Sequence, residues 1–392
     1  MRILYVAPAS PSPANFGGSM RVAGVLAALE KAGDVKLLVV ADEPGAEARS
    51  WLAGRGATLW VAPREKHAAR AARIALAVAT GRSIPAARFA GGELARRVGA
   101  FVARVRPDVV VLGDTFLAEA APALRGARCR VVVDTHNVES VLAQEIADVG
   151  GPAVRAAFTL LARNTASLER RVLPVVDRVW AASADDAVWY RENLHLAHVD
   201  VMPNVLGDAP LLGPPPEEAA VMMSGFFAYA PNEDAAMQLL AASREVTRRG
   251  VAHRLYLVGR SPGPRIVAAT KDLPYVIVTG EVESVEPWLE RATVFAAPLR
   301  AGSGTKFKLL QAMLAGRAVV TTPTGARGLA LEDGRHALVR ETWDFADALA
   351  ELLADAALRR RLVVEARRHV LGRFGQHVLD RAVAESLEDL RG

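Results

Sequence analysis

A single cysteine, Cys129, in a chain of 392 residues rules out an internal disulfide and any multi-cysteine metal site. It stands at the edge of the apolar run leading to Asp134 and reads as core packing. Aromatic residues are sparse, at 6%, and neither zinc-finger spacing nor a basic stripe interleaved with aromatics occurs, so no nucleic-acid partner is expected. Long apolar runs are missing too: nothing approaches the roughly 20 residues a membrane-spanning helix requires. Met1-Arg2 passes straight into Ile3-Leu4-Tyr5-Val6-Ala7, without the longer apolar core and cleavage site of a secretory signal, which sets the expectation of a cytoplasmic protein. The first loop lacks the G-x-G-x-x-G fingerprint, so a nicotinamide or flavin cofactor loses its main support. Asp-x-Asp occurs in no suitable strand-end loop, and the Asp185-Asp186 pair falls at a helix start. Neither a bound metal nor another cofactor is therefore expected.

What is present is an apolar, moderately charged chain, 51% hydrophobic and 23% charged, longer than one core usually supports; two domains are the natural reading. The net charge of +5 is unevenly placed. Residues 64–106 hold ten Lys or Arg against two acidic residues, with Ala68 to Ala79 putting arginines on an alanine-rich helical surface. This stretch is either a solvated helix face or a contact for an acidic acceptor or an anionic membrane surface, the latter placing the protein peripherally at the inner membrane.

Short β-branched runs bounded by Gly, Pro, Asp or Asn alternate with alanine-rich amphipathic segments, the pattern of repeated strand-helix-strand units and mostly parallel sheets. In the first half, strands are predicted at Ile3-Ala7, Val35-Ala41, Thr58-Val61, Val109-Leu112, Arg130-Asp134, Arg178-Ala182 and Val199-Met202. The longest helix is predicted from Pro152 to Leu173, disrupted by Pro174. A polar, proline-rich joint follows, Leu206-Gly207-Asp208-Ala209-Pro210 and Gly213-Pro214-Pro215-Pro216. A second series then places strands near Val221-Ser224, Arg254-Val258, Tyr275-Thr279, Thr293-Ala297, Ala318-Thr321 and Ala337-Val339. The expected fold is α/β: two Rossmann-like, doubly wound domains facing across a cleft. Residues 1–204 form the N-terminal domain, 205–371 the C-terminal domain, and 372–392 a helix crossing back to the first domain after a kink around Gly372 to Gly375.

In such sheets the chemistry belongs in the loops after the strands. The first loop ends in Gly17-Gly18 ahead of a helix; the pair admits a close ligand approach and the helix start offers unpaired amides to an anion, although a plain turn explains it equally. Asp134-Thr135-His136-Asn137-Val138-Glu139 ends a buried strand, and His136 can donate to and accept from a sugar hydroxyl, with a helix cap as the other reading. The richest stretch is Pro298 to Met313. There a Gly302-Ser303-Gly304 turn opens a helix, with Thr305 as candidate N-cap and Lys306 beside it, so amides, helix dipole and ammonium together suit a diphosphate. Gln311, two turns below Ser303, can bond a ribose hydroxyl. Arg260 ends another strand and is a second candidate for phosphate contact.

These segments resemble the retaining glycosyltransferases of family 4 (glycosyltransferase group 1), which have the GT-B architecture. In the first half the resemblance rests on Met1 to Val6 with Gly17-Gly18, on Asp134-x-His136-Asn137-x-Glu139 and on Pro203-Asn204. In the second it rests on Gly225, Pro231-Asn232-x-Asp234-Ala235, Val258-Gly259-Arg260, Pro298 to Lys306 and Ala315-Gly316-x-x-Val319-Val320. Two glutamates eight residues apart mark the family's donor site; here the positions hold Ser303 and Gln311. Glutamine still accepts through its carbonyl oxygen but lacks the charge that roughly doubles such a bond. The family often carries an Arg and a Lys after the first strand of the second domain to hold diphosphate, and Gly225 to Asp234 contains neither.

The resemblance implies transfer of a hexose or modified sugar, with retention, from a nucleotide-diphosphate sugar to an acceptor, a uridine diphosphate hexose being the default donor. The products expected are polysaccharide, glycolipid or natural product. His136, Arg260 and Lys306 are the candidate catalytic residues; Gly17, Gly18, Asn137, Asn232, Ser303, Gly304, Thr305 and Gln311 are the candidate donor contacts. The alternatives are a sugar-nucleotide-binding protein altered in catalysis, a reading prompted by Gln311, and a nucleotide-sugar epimerase on the same fold. The acceptor is unspecified.

Overall fold

The computed structural model describes residues 1–12, 17–41, 45–61, 77, 92–206, 211–213, 218–302 and 304–391. The chain divides into two compact units, one comprising 1–144, 156–205 and 376–392 and the other 145–155 and 206–375. Both are built on a parallel sheet.

Unit 1 carries seven strands: β1 (Arg2–Ala7), β2 (Asp34–Ala41), β3 (Thr58–Val61), β4 (Val109–Leu112), β5 (Arg130–Thr135), β6 (Arg178–Ala181) and β7 (Val199–Val201), in the order β3-β2-β1-β4-β5-β6-β7. Every described pairing is parallel. Side chains of a strand alternate between faces, and the core divides accordingly. Leu4, Val6, Val110 and Leu112 join one buried cluster, while Ile3, Tyr5, Val109 and Val111 join the other. Near-continuous apolar strands such as Val109–Leu112 follow from burial on both faces. Helices α1 (Gly17–Ala32), α2 (Ala46–Gly54), α3 (Glu93–Val105), α4 (Glu139–Val149), α5 (Pro152–Val172) and α6 (Ala184–Asn193) fill the intervals. The long helix ends one residue before Leu173, where Pro174 opens a short 3-10 turn.

Unit 2 repeats the scheme with β8 (Ala220–Ser224), β9 (Arg254–Val258), β10 (Val276–Val278), β11 (Val294–Ala297), β12 (Ala318–Thr321) and β13 (Leu338–Val339), ordered β10-β9-β8-β11-β12-β13. Its helices are α7 (Ala230–Arg248), α8 (Pro264–Thr270), α9 (Glu286–Arg291), α10 (Phe307–Leu314), α11 (Pro323–Ala326), α12 (Phe345–Ala354) and α13 (Ala356–Phe374). The α7 stripe of Ala235, Ala236, Leu239, Leu240 and Val246 is buried, as helical spacing requires.

The helix α13 stops at Phe374, and after Gly375 a new helix, α14 (Gln376–Asp389), begins within unit 1. Its Leu379, Val383 and Leu387 enter the same cluster as Val25 and Leu29 of α1. Gln376 donates to the Gly24 carbonyl at 3.0 Å, and Trp180 donates its indole N–H to Ser386 Oγ at 2.8 Å. A Cβ on Gly24 would lie 2.7 Å from Val205, so a glycine on α1 is what lets Val205 pack this closely against the helix. Among the described residues, no helix is long and apolar enough to cross a membrane.

Candidate functional site

In unit 2 the chain runs β8, β9, β10 toward one edge and then returns to β11, β12, β13 toward the other, so the strand order reverses between β8 and β11. Ligands of open α/β sheets bind beyond the carboxyl ends of strands at such a reversal. The loops that meet there are those following β8, β9 and β11. Gly225 N–H donates to the Val258 carbonyl at 3.0 Å, and Phe227 N–H to the Arg260 carbonyl at 3.0 Å. Gly259 has φ +144°, and a Cβ on it would lie 1.9 Å from the Gly225 carbonyl oxygen. Only glycine permits that approach. The exposed Arg260 guanidinium lies 4.6 Å from the Phe226 ring centroid.

The turn after β11 has left-handed backbone at Gly302, φ +135°, and Gly304, φ +64°. Its amide is already used by an anion: Gly302 N–H donates to Glu145 Oε2 at 2.8 Å, and Glu145 Oε1 accepts from Arg327 at 2.5 Å, all within unit 2. Asp234 accepts from Arg300 Nε at 2.9 Å and also from its Nη2, a bidentate pair joining the starts of α7 and the β11 turn. Beside it Asn232 is buried, donating to the Phe226 carbonyl at 2.9 Å and accepting at Oδ1 from Lys308 Nζ at 2.5 Å. Burial lowers the Lys308 ammonium to about 8.

Unit 1 shows a second polar concentration at its own reversal, between β1 and β4. Asp134 at the end of β5 is fully buried and pairs with Arg21 of α1, which also donates to Asn204 Oδ1 and the Met202 carbonyl, each at 2.9 Å. A buried ion pair is costly unless further hydrogen bonds satisfy it; Arg21 Nη1 makes two, whereas Arg21 Nε and Asp134 Oδ2 have no hydrogen-bond partner among the described residues. His136 lies beyond Asp134; burial first, then the nearby Arg21 charge, lowers its imidazole to about 3, so it is neutral. Asn137 donates to Glu139 Oε1 at 2.9 Å, while its carbonyl accepts from Tyr190 Oη–H at 2.9 Å. Burial, and then Asp114, raise the Glu139 carboxyl well above its usual range. Behind it Glu169 is fully buried, accepts from the Ser140 hydroxyl and amide, and is raised to about 7, chiefly by burial.

The structure thus brings Asn232, Arg260, Gly304 and the start of α10 to one end of the unit 2 sheet, and His136 and Asn137 to the corresponding end of unit 1. Gly17 and Gly18 are the first residues of α1 rather than a loop ahead of it. Thr305 is not the N-cap: α10 begins at Phe307 with Lys306 as N-cap, because the left-handed Gly304 delays the helical backbone. Lys306 is buried and donates through Nζ to the Gly302 and Gly304 carbonyls at 2.8 and 2.7 Å, bracing the turn from inside. Gln311 lies half-buried on α10, one turn after Lys308. Ser303 and most of the basic 64–106 stretch fall outside the described residues. Within that stretch, Arg97 of α3 bonds Glu93 at 2.7 Å and lies over Trp60. Among the described residues no group of three or more His, Cys, Asp or Glu is placed to hold a metal ion. Sequence reasoning missed Lys308, Arg21 and Glu169. Only the three-residue spacing of Lys308 and Gln311, which aligns them on one helix face, signalled the first.

Residues 218–355 match the family model described as glycosyl transferases group 1. A comparison with curated proteins finds no match. Among solved structures, sucrose-phosphate synthase from Thermosynechococcus elongatus is similar at 15% identity and TM-score 0.75, covering 100% of this chain and 99% of that one. Anabaena HepE in complex with UDP-glucose is similar at 15% identity and TM-score 0.70, covering 99% and 100%. The lipopolysaccharide outer core galactosyltransferase WaaB is similar at 14% identity and TM-score 0.67, covering 99% of each chain. The match over residues 218–355 and the shared GT-B fold of two Rossmann-like, parallel-sheet domains together support a glycosyltransferase.

Proposed function

We propose that this chain transfers a hexosyl group from a uridine diphosphate sugar to an acceptor with retention of anomeric configuration. The supporting observation is the strand-end assembly of unit 2. There the Gly302 amide already donates to a carboxylate, with Arg260, Asn232 and the α10 start alongside, and Gly302, Arg260, Asn232 and α10 all fall inside the segment that matches the glycosyl transferase model. That HepE binds UDP-glucose in a similar fold favours a uridine nucleotide.

In this reading the bond from the anomeric carbon to the diphosphate oxygen breaks, the diphosphate leaves with the electron pair, and an acceptor hydroxyl oxygen bonds the carbon. The hydroxyl proton passes to the departing diphosphate. Positive charge and turn amides lower the barrier because they are fixed in place before negative charge develops on the leaving group. Arg260 contributes such charge, Gly304 shapes the turn, braced by Lys306, and Gln311 accepts from a ribose hydroxyl. In unit 1 the neutral imidazole of His136 bonds a hydroxyl of the transferred sugar. Membrane peripheral contact through residues 64–106 and a cytoplasmic location complete the proposal, with a membrane-bound or soluble acidic acceptor.

The test is incubation with UDP-glucose, UDP-galactose and UDP-N-acetylglucosamine, following UDP release and reading the product's anomeric configuration by NMR. Release of UDP with a retained linkage is expected. Binding of a UDP-sugar without turnover on any acceptor extract would favour the binding-protein alternative that Gln311 raises, and an inverted product would remove retention.

A further inference from the structure

We propose that Lys308 is the cation that grips the donor diphosphate in unit 2, reaching the end of β8 from the start of α10. The inference rests on the donor reading above and names a residue that reading does not use. The segment from Gly225 to Asp234 that follows β8 contains no Lys or Arg. Yet Lys308 Nζ stands 3.4 Å from where a Cβ on Gly225 would lie and donates to Asn232 Oδ1 at 2.5 Å. The neighbouring helix therefore delivers a positive charge to a strand end that has none of its own, at the reversal between β8 and β11.

The surrounding charges leave this ammonium uncompensated. On α7, Asp234 is engaged by Arg300, and Glu233 faces Arg265 at 3.7 Å. After β9, Arg260 lies over Phe226, and in the turn after β11 Lys306 donates to carbonyls of that turn. No carboxylate pairs with Lys308 among the described residues, and its partner Asn232 is a neutral amide whose own nitrogen donates to the Phe226 carbonyl. Removing a charge from water without a counter-ion is costly, and the lowering of Lys308 to about 8 expresses that cost. An anion placed over the side-chain-free Gly225 supplies the missing charge. A diphosphate fits because its ionised oxygens make charge-assisted hydrogen bonds with an ammonium. Lys306, spent on the carbonyls of its turn, serves shape.

The experiment titrates the full chain with UDP and, separately, with inorganic pyrophosphate at pH 7 and pH 9, using wild type, Lys308→Met, Lys308→Arg and Lys306→Met. Wild type is expected to bind both probes, and Lys308→Met to lose about tenfold or more at pH 7 while Lys308→Arg keeps part of the affinity. Wild-type affinity falls as pH rises through about 8, the window of the Lys308 ammonium. The terminal phosphate of UDP, with a pKa near 6, is already ionised there, whereas inorganic pyrophosphate still loses its last proton in this range, so the pH dependence is read on UDP. Lys308→Met shows no such fall. Thermal melting establishes that each variant is folded, and Lys308→Ala carries the test if the Met variant is not. Wild-type-like binding and pH dependence in folded Lys308→Met, or in folded Lys308→Ala if Met disturbs the fold, overturns the inference and leaves the donor reading standing. If wild type binds neither probe, the donor reading falls and the inference with it.

Discussion

Glu169 shows how much a single side chain can tie the stability of unit 1 to pH. It is fully buried, receives the Ser140 hydroxyl and amide, and is raised from 4.5 to about 7 by burial. The folded chain therefore holds a proton between those values that the unfolded chain has released. By linkage its contribution is fully present below about 4.5 and is lost as pH rises through about 7. Glu169→Gln keeps an oxygen acceptor without the titration. Urea denaturation at pH 5, 6, 7 and 8 should show wild-type stability falling more steeply than the variant's, by at most about 1.4 kcal/mol per pH unit; parallel curves would mean that Glu169 does not titrate in this way. Nothing in the sequence around Glu169 marks it, because the burial comes from residues distant along the chain, Ser140 among them. His136, by contrast, was legible from its place after a buried strand, whereas its lowered pKa comes first from burial and then from Arg21, 115 positions away in sequence.

At the scale of elements, the apolar runs were legible because strands buried on both faces need continuous β-branched residues, as in Val109–Leu112 and Arg130–Thr135. Helix starts were less so. Thr305 has the composition of a cap, but the positive φ of Gly304 sets the cap one residue later, at Lys306, and Lys308 rather than Lys306 meets Asn232. The junction of β8 and β9 is the corresponding backbone device. Gly259→Ala adds a methyl where 1.9 Å separates its position from the Gly225 carbonyl oxygen and forces a side chain into a φ of +144°. A loss of about 2 kcal/mol or more in denaturant unfolding is expected, accompanied by weaker UDP binding, since the Gly225 loop must move. A variant with unchanged stability and binding would mean that the two strand ends tolerate separation.

For the molecule as a whole, the segment order matters more than the number of elements. Unit 1 is made of three separate stretches of chain, and the last, 376–392, supplies one wall of its core. Leu387 is 1% exposed in that wall. Leu387→Ala should therefore destabilise unit 1, by roughly 2–5 kcal/mol for a buried leucine, while leaving unit 2 unaffected. Limited proteolysis read by mass spectrometry checks this: new cleavage should appear in 1–144 and not in 218–375. Cleavage confined to α14 itself would show that the helix is an accessory to the core.

The same ordering has a consequence for synthesis. A ribosome delivers the N-terminal strands and α1 before α14, so the part of the cover over the apolar stripe of Val25 and Leu29 that Leu379, Val383 and Leu387 supply arrives only when residues 376–392 leave the tunnel, about 350 positions later. Until then that part of the stripe is open to solvent and to other nascent chains. Termination just after Gly375 leaves a product whose second unit is whole while its first lacks the α14 wall and presents a sticky, unfinished face, so chains truncated there should be found in aggregates or bound by chaperones.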